Sequence, residues 1–148
     1  MTFTGLVLIV VCIGVIALAV MSDKKASSKF EQDFKANYPV KVSLGNMSIT
    51  ENGKLVYYLP SGTLKGYKVW DLSEVGYIST SSGKSCFSIC DKNMQVMSGD
   101  YMTPSKKNVK EKKYKTFNVG VGASTNDLVD FLRSEAGIQH MVDGRLAE

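Results

Sequence analysis

Histidine and cysteine are scarce in this sequence, and their scarcity limits the chemistry that the chain can perform. Of 148 residues, one is histidine and three are cysteine. The histidine, His140, has no serine or cysteine motif near it in the chain, so neither a catalytic triad nor histidine acid–base catalysis is expected. Phosphate-binding loops, dinucleotide fingerprints and zinc-ligand spacings are also missing. We therefore expect a protein that is not an enzyme, with no catalytic residues, no metal site and no cofactor.

The three cysteines do not form an evident disulfide. Cys12 lies within an apolar N-terminal run, whereas Cys86 and Cys90 lie in a segment that alternates like a β-strand. At about 3.3 Å per residue, a strand separates their Cα atoms by about 13 Å, more than the roughly 7 Å that a disulfide allows. The same distance excludes a shared metal site. Free thiols persist best in a reducing compartment, which favours the cytoplasm.

Charge is absent from the first 21 residues, and this absence predicts a membrane anchor. A helix of that length spans a hydrocarbon core about 30 Å thick, so residues 1–22 are assigned to a transmembrane helix. A secretory signal peptide normally begins with basic residues, which this N-terminus lacks. Ala17-Leu18-Ala19 nevertheless resembles a cleavage site. The alternative is therefore an exported soluble domain, periplasmic or secreted, that is cut after Ala19.

Basic residues follow the apolar run closely and predict its orientation. The side of a membrane helix that is richer in lysine and arginine tends to stay in the cytoplasm. We therefore expect a single-pass protein of the cell membrane whose C-terminal domain is cytoplasmic. Residues 23–39 are interpreted as a polar stalk that ends at Pro39. The lysines that carry the argument are Lys24, Lys25, Lys29 and Lys35.

Residues 40–137 predict a small, mainly-β domain with one terminal helix. Asn52-Gly53 between two apolar runs indicates a hairpin with a two-residue type I′ turn, and the short runs together suggest seven strands, with Trp70 in the core. Ser124 to Asp127 has the spacing of a capping box, and the helix after it is expected to end at Gly137. Residues 138–148 are interpreted as a tail that frays. The apolar face of the helix consists of Leu128, Phe131, Leu132 and Ala136.

These features resemble a bacterial pleckstrin-homology-like (PH-like) domain, over roughly Val40 to Gly137. Asp71-Leu72-Ser73-Glu74-Val75 matches the family's acidic turn between strands, and Leu128, Phe131 and Leu132 match its capping helix. The resemblance implies a seven-stranded, partly open barrel of two sheets that serves binding or scaffolding. The family's usual basic pair in the first hairpin is missing, because Lys54 stands beside Glu51. No inositol-phosphate pocket can therefore be placed.

Positive charge is concentrated in "PSKKNVKEKKYK", where six lysines accompany one acid. The whole chain has a net charge of +4, so the remainder is close to neutral. Such a run can bind anionic lipid headgroups or another anionic partner, although a solvated loop kept soluble by its charge is the slightly favoured interpretation. Nucleic acid is an unfavoured partner because both arginines lie outside the run. The candidate binding residues are Lys106, Lys107, Lys110, Lys112, Lys113 and Lys115.

Together these observations predict a non-catalytic binding or scaffold domain anchored by one membrane helix. Its partners would be membrane lipid around the helix and a protein of a larger membrane assembly. The exported soluble domain, binding a ligand or partner outside the cytoplasm, remains the alternative. A pilin-like filament subunit would also join an apolar helix to a β-rich head. The chain lacks the glutamate expected early in such a helix and the basic leader before it.

Overall fold

The computed structural model of the protein describes residues 3–59, 66–104, 115–120 and 123–147. It divides into two compact units, Met1–Asn37 and Tyr38–Glu148. The first unit is a single helix. The second, called the β-domain below, contains all the strands and one further helix. The predicted N-terminal helix and mainly-β domain are therefore confirmed.

Helix α1 (Phe3–Asn37) is 35 residues long and continues through the segment predicted to be a stalk. It is long and apolar enough to cross a membrane, and its apolar window is fully exposed, unlike the core helix of a soluble protein. The helix ends one residue before the Tyr38-Pro39 step. The residue before a proline is disfavoured in the helical region, which accounts for this end.

The first sheet has five strands in the order β1-β2-β3-β4-β7. Its first four strands form an antiparallel meander, and β7 pairs antiparallel with β4. Their inner faces place Leu55 opposite Trp70 and Tyr57 opposite Lys68. The strands are β1 (Val40–Leu44), β2 (Met47–Thr50), β3 (Lys54–Leu59), β4 (Gly66–Asp71) and β7 (Asp100–Met102).

The second sheet also has five strands, in the order β10-β9-β5-β6-β8. Strand β9 pairs parallel with β5, and all other pairs are antiparallel. Helix α2 (Thr125–Ala136) precedes β9 in the chain. The strands are β5 (Val75–Thr80), β6 (Cys86–Asp91), β8 (Phe117–Asn118), β9 (Gln139–Val142) and β10 (Arg145–Leu146).

One hydrophobic core joins both sheets and α2. Trp70 is 2% exposed, as predicted for a core residue, and its Nε1 donates a hydrogen bond to Met97 O at 3.1 Å. From the second sheet, Ile78 and Ile89 are fully buried, and α2 contributes Leu132. The β-domain is thus held together by apolar burial across its two sheets.

Both predicted caps of α2 are confirmed. Asp127 N donates to Ser124 Oγ at 3.1 Å, and Ser124 N donates to Asp127 Oδ2 at 3.4 Å, which completes the capping box. Gly137 ends the helix with φ +66°, and its N–H donates to Arg133 O. The predicted apolar face is buried at Leu128 and Leu132 and partly buried at Phe131 and Ala136.

The predicted hairpin between β2 and β3 is confirmed, but its predicted turn type is wrong. A type I′ turn needs positive φ at both central residues, whereas Gly53 has φ +75° and Asn52 does not have positive φ. Gly53 N–H donates to Thr50 O at 3.3 Å, and Lys54 N–H donates to Thr50 Oγ1 at 2.9 Å. The buried threonine therefore supports a longer connection than the two-residue turn.

The prediction of seven strands closed by a terminal helix needs correction. The described residues form ten strands, and the two sheets do not close into a barrel. The expectation of a frayed tail after Gly137 is also wrong. Asp143 (φ +51°) and Gly144 (φ +79°) form a two-residue turn between β9 and β10. Ile138 and Met141 are buried, so the segment belongs to the domain.

We expect Met141→Ala to destabilise the β-domain by about 2–5 kcal/mol, because a buried side chain would leave a cavity. Met141 is 4% exposed, whereas Leu146 on β10 is 52% exposed. Leu146→Ala is the matched control and should change stability by less than about 0.5 kcal/mol. Fluorescence of Trp70, the single tryptophan, reports unfolding of the detergent-solubilised protein. Equal effects of the two variants would contradict the structural role of β9.

Candidate functional site

The predicted lysine site lies largely outside the described residues. Lys106, Lys107, Lys110, Lys112 and Lys113 are not described, whereas Lys115 is described and exposed. The segments on both sides are held by the fold. The chain leaves β7 at the edge of the first sheet and enters β8 at the edge of the second. The lysine run, defined as the six predicted lysines, is thus tethered at both ends.

The C-terminal end of the lysine run is anchored by Phe117. Its side chain is 5% exposed and packs edge-on against Trp70, with ring centroids 5.6 Å apart. Val119 N donates to Ser85 O at 2.9 Å, which joins the following residues to the turn before β6. Lys115 is therefore two residues from a point fixed in the core.

The N-terminal side of the run is anchored by an inward-facing row on the first sheet. Tyr101 pairs with Lys68, whose Nζ lies 5.8 Å from the tyrosine ring centroid. Lys68 is fully buried, and its Nζ approaches Gly99 O at 3.5 Å. The neighbouring Tyr57 donates its hydroxyl hydrogen bond to Asn118 O. Burial raises the pKa of Tyr57, so this phenol stays protonated near neutral pH.

A polar cleft of about 470 Å³ lies at the end of β3 and β4. Lys54 Nζ and Asp71 Oδ2 are 3.2 Å apart and form an ion pair. Ser73 donates to Asp71 Oδ1 from its N–H at 3.0 Å and its hydroxyl at 2.8 Å. These hydrogen bonds, with that from Lys54, lower the pKa of Asp71. The lining includes Tyr38, Lys54, Trp70, Asp71, Glu74 and Asp100.

This cleft is not suited to an anionic headgroup. The one lysine in its lining is paired with Asp71, and the lining also contains the carboxylates of Glu74 and Asp100. Asp71 itself serves the turn into β5, because its side chain accepts hydrogen bonds from Ser73. That arrangement agrees with the structural role expected for acids in a turn. The positive charge of Lys54 is therefore balanced by Asp71 within the fold.

A second cavity, of about 370 Å³, lies between the β5–β6 turn, β9 and the start of α2. His140 Nε2 and Thr80 Oγ1 are 2.7 Å apart. Burial, and secondarily the charge of Arg133, lowers the pKa of His140 below 6.5, so its imidazole is neutral near pH 7. The sequence analysis missed this pairing, because β9 brings together residues that are 60 positions apart.

The contact between His140 and Thr80 joins neighbouring strands of the second sheet. Thr80 is 6% exposed, and its Oγ1 also approaches Met141 O at 3.5 Å. Among the described residues, Thr80 is the side-chain hydrogen-bond partner of His140. At the adjacent turn, Ser82 donates to Asp143 from its N–H at 3.1 Å and its hydroxyl at 2.6 Å. These bonds fasten the β9–β10 hairpin to the β5–β6 turn.

The two cysteines of the β-domain both lie on β6, as predicted, and are free. Cys90 is buried, and its burial raises the pKa of the thiol, which keeps it protonated and weakly nucleophilic. Within the described part of the chain, no group of three histidine, cysteine or acidic side chains could hold a metal ion.

The outer strands of both sheets are short or irregular. Strands β8 and β10 have two residues each, and β7 has three. The longer β1 is interrupted between Val40 and Val42, where Lys41 is exposed. Short strands, bulges and lysine protect edges against pairing with another chain. Side chains, rather than strand addition, therefore offer the better surface for a partner.

No family model, curated protein or solved structure matches this chain.

The stability of the β-domain should decrease as the pH falls below 6.5. The folded pKa of His140 is lower than its unfolded value, so the unfolded state binds the proton first. Its contribution is complete above pH 6.5 and is lost as the pH falls through the folded pKa. Unfolding followed by Trp70 fluorescence between pH 8 and 5 measures this slope, and His140→Gln should reduce it. An unchanged slope in that variant would contradict the assignment.

Proposed function

We propose that this protein is a non-catalytic binding module, anchored to the cell membrane by α1, that recruits a protein partner through its lysine run. The observation that carries the proposal is α1 itself. A helix with an uncharged N-terminal segment long enough to cross a bilayer is followed by a separate, well-packed β-domain. The functional groups described above are engaged within the fold, whereas the lysine run carries most of the chain's excess positive charge.

Retention of α1 as an anchor is part of the proposal, because its apolar segment is long enough to cross a bilayer. Four lysines follow it, which supports a cytoplasmic β-domain.

A protein partner is favoured by the protected edges and the charge distribution. Six lysines accompany one acid in the segment that contains the lysine run, so this segment carries the chain's main excess of positive charge. An acidic protein surface would complement that charge. Anionic lipid is the second candidate, because exposed lysines near a cytoplasmic leaflet each gain about 1 kcal/mol.

The β-domain is further proposed to be a distant variant of the PH-like architecture. Support comes from the antiparallel meander of β1 to β4, the second sheet containing β5, β6 and β8, and the helix that follows. The parallel strand β9 and its hairpin partner β10 depart from the expected pattern. A binding or scaffolding role on this architecture agrees with the proposed function.

Fractionation of cells that express the protein with a C-terminal tag tests the anchor. We expect a full-length band that resists alkaline extraction and is protected from protease added outside the cell. A shortened soluble band would contradict the anchor and support export after cleavage at Ala19. Extracellular filaments that contain the full-length protein would instead support the pilin-like alternative.

Replacement of lysines tests the binding surface. Lys110, Lys112 and Lys113 changed together to Gln should reduce partner recovery at least about threefold, a loss of about 0.7 kcal/mol. The matched control changes the exposed Lys41, Lys84 and Lys92 to Gln, so both variants lose the same charge. Quantitative co-purification from detergent at two salt concentrations is the measurement. Equal recovery from both variants would contradict the lysine site, and selective loss of co-purified anionic lipid would favour the second candidate.

A further inference from the structure

The segment of α1 beyond the apolar run is helical over its whole length. Residues 22–37 continue the helix without interruption, and neither proline nor glycine occurs between Val15 and Asn37. Sharp kinks in helices arise mostly at proline, at glycine or at local bulges. A helix that crosses a membrane therefore continues along nearly the same direction on leaving it.

Several interactions favour this continuation beyond the apolar run. The helix is nucleated by its apolar part, so the polar part does not have to overcome the cost of nucleation alone. Phe30 and Phe34 lie one turn apart, with ring centroids separated by 6.0 Å, and the Phe34 side chain is buried. Glu31 precedes Lys35 by four residues, the favourable order for an ion pair on a helix surface.

We propose that residues 22–37 form a rigid spacer that sets the distance between the bilayer and the point where the chain enters the β-domain. At 1.5 Å per residue, 16 residues rise about 24 Å, or about 23 Å at a typical tilt of 20°. This proposal rests on the proposed function, because it requires α1 to span the membrane.

Energy transfer to lipids measures the spacer in the full chain. The three native cysteines are first replaced, and then either Ser22 or Ala36, both exposed, is changed to Cys and labelled with a fluorescent donor. The labelled protein is reconstituted in vesicles whose lipid headgroups carry the acceptor. We expect the Ser22 label to lie at the headgroups and the Ala36 label about 20 Å from them. An Ala36 label as close as the Ser22 label would overturn the spacer.

A flexible variant provides the control. Ala26 and Ser28 are exposed and uncharged, and changing both to Gly weakens the helix by about 0.5–1 kcal/mol at each position without altering the lysines that set its orientation. The Ala36 donor should then show a broader and shorter range of distances. If the unmodified protein and the glycine variant gave identical distances, the proposed rigidity of the spacer would be wrong. Alkaline extraction of the same samples separates the two proposals, since protein that is removed from the vesicles refutes the anchor itself.

Discussion

The contact between Trp70 and Phe117 joins the two sheets of the β-domain. Trp70 lies on β4 and Phe117 on β8, and their rings pack at 86°. The indole nitrogen also binds Met97 O in the connection between β6 and β7. Phe117 further contacts Tyr57 and Phe87, which extends an aromatic cluster through the core. The C-terminal flank of the lysine run depends on this cluster, because Phe117 is two residues after Lys115.

The acidic and histidine side chains at the two cavities have structural partners. Asp71 accepts a hydrogen bond from Ser73 and forms an ion pair with Lys54. Asp143 accepts a hydrogen bond from Ser82, and His140 is hydrogen-bonded to Thr80. Each bond joins a turn or strand to its neighbour, and together they hold the second cavity and the polar cleft in shape. Buried Lys68 has the same character, since its ammonium group approaches a backbone carbonyl and a tyrosine ring. The proposed association through the lysine run requires none of these contacts to break.

The sequence shows where the lysine run lies along the chain, but it does not show which parts of the fold flank it. A run of lysines is visible in any sequence, and Lys115 is exposed as expected. The fold adds that the run connects edge strands of different sheets. The neutralisation of Lys54 by Asp71 was not predictable, because the pair depends on the register of β3 against β4. Likewise, the seven-strand expectation missed β9 and β10, although the Asp143-Gly144 pair is a recognised hairpin signal.

The sequence by itself determined the features that depend on neighbouring residues. Uncharged length predicts α1, the capping box predicts the start of α2, and Gly137 predicts its end. Tertiary structure decided how distant segments meet. Tyr77 faces Gln139 in a parallel pair, and no local pattern specifies a partner 62 residues away. Such pairing is selected by burial of Ile138 and Met141 against the assembled domain, a term that exists only once the rest of the chain has folded.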